Sequence, residues 1–383
     1  MKRVFTRPGS MAGVSLVELM IALVIGLIIM LGVVQIFTAS HAASRLSEGA
    51  SRVQENARFA LEFLERDLRM AGHMGCVNDQ AHIVKNLGDP VNNFPVAAGS
   101  GSPLDFRVSI QGYEAPNTAP GGVLTLGDTW QAPAALPASI SGLQPAGGSD
   151  ILVLRFLDAE GVPINGIALN GGNSTLTTAD AARLTKDGVT APTMFGIADC
   201  GHVNVFRGTL NANQITATGV DLTRYTAQPT GQTMLYRAES LVYYVGVNAD
   251  TGLRGLRRAR AAGDGTYTSE EVVEGIDSLQ LMFGLDTTPN IGLATPPVGN
   301  ITESAVASSV SVATTPAAAS QWLRVGQVRV GILASSPERS SSVTPQVNPS
   351  VLGVQFAPAA TNDGRYRAGY EVSVALRNRL FGN

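Results

Sequence analysis

Two groups of residues in this chain have the types and spacing to do chemistry. The first is Gly13-Val14-Ser15-Leu16-Val17-Glu18, in which a lone carboxylate follows a glycine by five positions and opens an apolar run that reaches Phe37. Between Val14 and Phe37 the only other strongly polar side chains are Ser15 and Gln35. A carboxylate at membrane depth costs roughly 2.5 kcal/mol or more, so Glu18 needs a partner and marks a functional position. The second group is Cys76 and Cys200, the only two cysteines, each with a histidine close by at His73 and His202. In an exported domain these cysteines read as one disulfide, worth about 4 kcal/mol on a chain-entropy estimate. The alternatives are a metal site, whose usual paired Cys and His spacings are missing, and free or intermolecular thiols. His41 and His82 stand alone and read as solvated residues.

One long helix must position the first group. Val14 to Phe37 is long enough at about 1.5 Å per residue to cross a hydrocarbon core of roughly 30 Å. The apolar period then continues as a single face through Leu46, Ala50, Val53, Ala57, Leu61, Leu64, Leu68 and Ala71. Opposite it run Arg45, Glu48, Arg52, Glu55, Arg58, Glu62, Glu65, Arg66 and Arg69, with three acid-first i,i+4 pairs. Gly72 and Gly75 end the pattern, so the spacing predicts one helix from Ser15 to Met70, roughly 80 Å long. Beyond Cys76 the texture becomes β. Strands are predicted over 151–157, 202–207, 234–247, 272–285, 323–333 and 366–376. The stretches 88–149 and 287–320, biased to Pro, Gly, Ala, Ser and Thr, read as long surface loops, variable or partly disordered. The fold class is α+β; the remaining length could bury one large core or two lobes and is read as one elaborated sheet domain.

Ahead of the apolar run, residues 1–13 carry Lys2, Arg3 and Arg7 and no acid. A secretory signal peptide places its apolar core before its cleavage site; here the order is inverted. This leader, followed by Gly13-Val14-Ser15-Leu16-Val17-Glu18, resembles the processing site of type IV prepilins. The resemblance implies cleavage after Gly13 by a prepilin peptidase, N-methylation of Val14, and an assembly role for Glu18. Val14 stands where that family more often has Phe. It also implies a pilin-like fold, in which the spine helix packs on an antiparallel sheet. The domains expected are a leader (1–13), a spine helix (14–72) with its membrane segment at 14–37, and a β-rich exported domain (73–383). The basic leader sets the N-terminus in the cytoplasm.

Further resemblance lies in the C-terminal half, in Glu239-Ser240-Leu241-Val242-Tyr243-Tyr244-Val245, Leu256-Arg257-Arg258 and Val273-Glu274-Gly275-Ile276-Asp277-Ser278-Leu279-Gln280. These look like the PilW group of large minor pilins and the related GspJ pseudopilins. Residues 322–333 and the ending Val374-Ala375-Leu376-Arg377-Asn378-Arg379 look like PilW in particular. That resemblance implies a minor pilin that primes a type IV pilus, sits at or near its tip and supports twitching motility and adhesion. Its implied partners are other minor pilins, the major pilin, a large tip adhesin and, before assembly, the inner membrane. The rival readings are a GspJ-like pseudopilin of a secretion system and a membrane-anchored surface-binding module.

Charge argues against a nucleic-acid partner. Net charge is −3, and loss of the leader leaves −6. Arg254, Arg257, Arg258 and Arg260 form the one basic cluster singled out, and five acids between Asp250 and Glu274 surround it. No nucleophile elbow, phosphate loop, zinc-protease helix or dinucleotide fingerprint occurs, so neither an enzyme nor a cofactor is expected. Asn248-Ala249-Asp250 and Asn362-Asp363-Gly364 read as turns.

Overall fold

The computed structural model describes residues 13–78, 96, 99–199, 201–288, 298–311, 321–340, 348–358 and 363–379. The fold is α+β. Helix α1 runs without a break from Leu16 to Met70. Ser15 caps it with extended backbone, its Oγ accepting the Val17 N–H at 3.3 Å. The chain turns away at Ala71 and at Gly72, whose φ is +76°.

The strands follow in chain order. A small hairpin, β1 (His73–Met74) and β2 (Val77–Asn78), leaves the helix and is followed by β3 (Ile110–Tyr113), β4 (Val123–Thr125) and β5 (Ile151–Leu157). Next come β6 (Val162–Asn170), β7 (Asn173–Thr178), β8 (Met194–Ala198), β9 (Val203–Asn211) and β10 (Gln214–Ala217). The longest strand, β11 (Met234–Val247), leads into β12 (Arg254–Ala261), β13 (Tyr267–Glu274) and β14 (Ile276–Asp286). The last are β15 (Ile301–Ala305), β16 (Val325–Ser335), β17 (Ser350–Val351), β18 (Val354–Ala357) and β19 (Arg367–Ala375).

Most of these strands build three bodies, while β1–β2 stays a separate hairpin and β17-β18-β4 a small sheet in which β18 runs parallel to β4. The central antiparallel sheet has the order β3-β5-β11-β12-β13. A second antiparallel sheet, β15-β14-β16-β19, continues from it through Gly275, whose φ is +75°. A Cβ there would lie 2.5 Å from the Ser335 carbonyl oxygen, so only glycine fits this tight corner. The third body is a closed barrel. The start of β11 pairs with β6 on one side (Met234↔Pro163) and with β8 on the other (Met234↔Ala198). The ladder β6-β7-β10-β9-β8 completes the ring, six antiparallel strands in all. Ile164, Leu176, Phe206, Ile215, Leu222 and Leu235 fill its interior, a core separate from the one under the helix. Strand β11 thus contributes to both, Leu235 to the barrel core and Leu241, Tyr243 and Val245 to the core under the helix. Short strands rich in Thr, Asn and Gly hid the barrel, including a hairpin whose two-residue turn is Gly171-Gly172.

The C-terminal half of α1 lies on both sheets. Its buried face is Gly49, Val53, Ala57, Ala60, Leu64, Asp67 and Leu68. The small residues at 49, 57 and 60 admit close approach, and Leu154, Phe156, Tyr243, Leu279, Val330 and Ile332 complete this core. Leu46, predicted on the apolar face, is exposed, and Leu61 is half-buried. The face is rotated toward Gly49, Ala60 and Asp67.

Residues 99–149 differ from the expected surface loop. Leu136, Ile140 and Leu143 cover the outer face of the central sheet against Val153, Val242 and Tyr244. Arg155, fully buried on β5, donates to the carbonyls of Ser102 (2.7 Å), Pro103 (3.3 Å) and Val108 (2.6 Å). One guanidinium thus pins the 102–108 segment to the sheet. In the second low-periodicity stretch, β15 and a short helix at Ala307–Val310 are ordered elements.

Candidate assembly interface

At the start of α1, Gly13, Val14 and Ser15 precede the first turn, and Glu18 lies within it. A carboxylate there faces unsatisfied backbone N–H groups and the positive end of the helix dipole. Among the described residues no cation lies within ion-pair range of Glu18. The apolar side chains that follow are bare: Leu16 is 75% exposed, Ile29 61% and Phe37 62%. By length and composition this helix suffices to cross a membrane. An apolar cylinder with nothing packed on it is stable only in lipid or against other apolar helices.

The other end of the helix is fixed by polar contacts. Asp67, on the buried face, accepts the Tyr243 hydroxyl hydrogen at 2.6 Å and lies 3.5 Å from Arg258 Nη1. Burial raises the Tyr243 pKa, and the Asp67 charge raises it further, so the phenol stays protonated and donates. Asn56 Nδ2 donates to the Glu274 carbonyl and Asn378 Nδ2 to the Arg69 carbonyl, each at 3.0 Å. The helix is therefore tied at Asn56, Asp67 and Arg69 and carries its apolar half as a free extension.

All four clustered arginines serve the fold. Arg257 pairs with Glu271 (3.4 Å), Arg258 with Glu270 (2.6 Å) and Arg260 with Glu239 (2.8 Å). Arg254 donates to the Gly147 and Asp277 carbonyls and lies over the Trp130 ring. Arg237 joins barrel to sheet: it pairs with Glu239 (2.6 Å) and Asp158 (2.7 Å) and donates to the Lys186 carbonyl. Burial raises the Glu239 pKa even with two arginines beside it. These are structural ion pairs, and no basic stripe is left exposed here.

Residues 242–378 match the family model of type IV pilus-assembly protein W. The match covers just over a third of the chain, from within β11 to the end of the second sheet. The C-terminal sheets are the part of this chain that is similar to that family. No curated protein and no solved structure matches the chain. Helix α1 and the barrel strands β6–β10 lie outside the match, while Tyr243, Arg258, Glu274 and Asn378, the domain's side of the helix joint, lie within it.

The structure places Gly13, Val14 and Glu18 at one end of α1 and Cys76 just past the other. Cys76 sits exposed in the β1–β2 turn; Cys200 lies outside the described residues, so their pairing is a proposal. Gly75 packs on β8, where a Cβ would meet Ala198 Cβ at 2.9 Å. That brings Cys76 to the strand end that Cys200 follows by two positions. His73 Nδ1 is engaged with the Leu157 carbonyl at 2.8 Å, and His202 Nδ1 lies 3.6 Å from Asp199. Leader residues 1–12 and His82 lie outside the described residues. Sequence reading missed Asp67, although an acid three positions beyond Leu64 falls on the apolar stripe.

Proposed function

We propose that the chain is a minor pilin that primes a type IV pilus and stays at or near its tip. The observation that carries this reading is a single rigid helix with two unlike halves. One half is bare, apolar and headed by Glu18; the other is bolted to sheets that match a pilus-assembly family. Before assembly the bare half lies in the inner membrane; afterwards it packs among the corresponding helices of other pilins. Cleavage after Gly13 creates an α-amino group at Val14, which is positively charged at neutral pH. Glu18 of this subunit meets that group on a neighbour, which lowers the cost of burying either charge and sets the axial register between helices. A barrel beside two sheets would crowd a helical shaft, and a tip subunit has nothing above it. Twitching and adhesion follow from filament formation.

The test is complementation of a deletion strain. Deletion is expected to abolish most surface filaments while the major pilin remains in the membrane. Wild type restores filaments, Glu18→Ala gives a processed, folded but poorly assembling protein, and Glu18→Asp is partly active. Normal filament number in the deletion strain overturns the initiator role, and full rescue by Glu18→Ala removes the acid from the assembly mechanism.

A further inference from the structure

Where α1 meets the domain on the membrane side, the segment 336–340 lies against the helix and leaves an open cleft of about 420 Å³. The approach is close: a Cβ on Gly49 would lie 2.5 Å from Ser340 Cβ. Ser336 and Ser340 hydroxyls both accept the Tyr366 N–H at 3.0 Å, which fixes the segment. Arg45, Arg52 and Arg339 line the cleft with Glu48 and Glu338. Arg52 is taken by Glu48 at 3.0 Å. Arg45 and Arg339 are exposed, and among the described residues neither has an ion-pair partner.

Its height along the helix is informative. No aspartate, glutamate, lysine or arginine occurs between Glu18 and Arg45. That interval spans about 40 Å at 1.5 Å per residue, close to a bilayer with its headgroup layers. With Glu18 in the first turn of the spanning helix, Arg45 stands in the opposite headgroup layer, and a helical side chain leans toward the N-terminus, here toward the lipid. We propose that the cleft binds the headgroup phosphate of an anionic phospholipid, held between Arg45 and Arg339, while the helix is in the bilayer. The proposal rests on the reading that the apolar half of α1 spans a membrane.

Native mass spectrometry of the full chain, with phosphatidylglycerol or phosphatidylcholine of the same acyl chains, tests it. One phosphatidylglycerol per chain is expected to be retained at least about tenfold over phosphatidylcholine. Arg45→Gln and Arg339→Gln should each reduce that preference about fivefold, as for one cation near an anionic surface. Arg58→Gln, further from the membrane on the same helix, should leave it unchanged, and circular dichroism checks that each variant folds. Equal retention of both lipids, or an equal loss in Arg58→Gln, overturns the proposal. So does stabilisation by inorganic phosphate alone that Arg45→Gln abolishes, which makes the cleft a site for free phosphate. A chain that fails to enter vesicles of either composition instead refutes the membrane reading beneath it.

Discussion

Replacing Glu114 by glutamine should stabilise the protein at alkaline pH and leave it unchanged in acid. Glu114 follows β3, and its Oε2 accepts the Ala307 N–H at 3.2 Å. Beside it the buried Asp150 accepts the N–H groups of Ala115 (2.8 Å) and Leu281 (2.9 Å). The Thr118 hydroxyl lies 2.6 Å from the Ala115 carbonyl, 3.1 Å from Asp150 and 3.2 Å from Glu114. One hydroxyl hydrogen serves only one of those three acceptors. Burial raises the Glu114 pKa from its ordinary 4.5 to about 7. The Asp150 pKa is raised as well, by burial first and then by the Glu114 charge. The folded state thus keeps a proton that the unfolded chain has released. Stability is fully present below about pH 4.5 and is lost as pH rises through about 7. Such a shift corresponds to roughly 3 kcal/mol at 1.36 kcal/mol per unit. Glu114 is only half-buried, and solvent screening reduces this to on the order of 1–2 kcal/mol. Glutamine keeps an acceptor for Ala307 and cannot ionise. Thermal unfolding by circular dichroism should find the two proteins equal near about pH 4 and the variant higher by a few degrees near about pH 8. Parallel pH profiles would falsify the reasoning. Asp150→Asn is the contrasting case: one carboxylate oxygen facing a backbone N–H becomes a donor, so it should destabilise at every pH, by about 1–3 kcal/mol.

Asp67→Ala removes the acceptor of Tyr243 and one partner of Arg258 from the helix joint. A loss of about 2–4 kcal/mol is expected in urea titrations, with Tyr243→Phe costing less because the apolar ring remains. Cys200→Ser should lower the melting temperature and release an alkylatable Cys76; two reactive thiols in wild-type protein taken from the cell envelope would refute the disulfide. N-terminal mass spectrometry of native protein should begin at Val14 and show one added methyl group, and retained Met1 in assembled material would exclude processing.

The helix was legible because its signals are local. Gly72 as stop and the spacing of Val53, Ala57, Leu64 and Leu68 act within one or two turns. β5 and β11 begin and end where their apolar runs do, at Ile151–Leu157 and Met234–Val247. The predicted strand over 272–285 is instead cut at Gly275, because the chain changes sheets where a side chain would strike Ser335. The barrel left little trace, since β7 and β10 are stabilised by mutual pairing and ring closure rather than by apolar periodicity. Residues 99–149 misled through composition: their order comes from Arg155, Ile140 and the Asp150 contacts, all made with distant strands. At the candidate interface, Gly13, Val14 and Glu18 were readable as a contiguous motif. Asp67 was not, since its meaning depends on Tyr243, far away in the sequence.

The shared strand β11 has a mechanical consequence. Its first residues belong to the barrel wall and the rest to the centre of the sheet under the spine helix, with no linker between them. Tension applied between barrel and helix therefore enters the sheet along the strand axis. Between Ala238 and Tyr243, where β5 is paired with it, and onward to Val247 against β12, the ladder bonds share that load in shear, many at once, instead of unzipping one by one. A barrel on a flexible tether would swing and yield first; this one is a continuation of the beam that bears the pull.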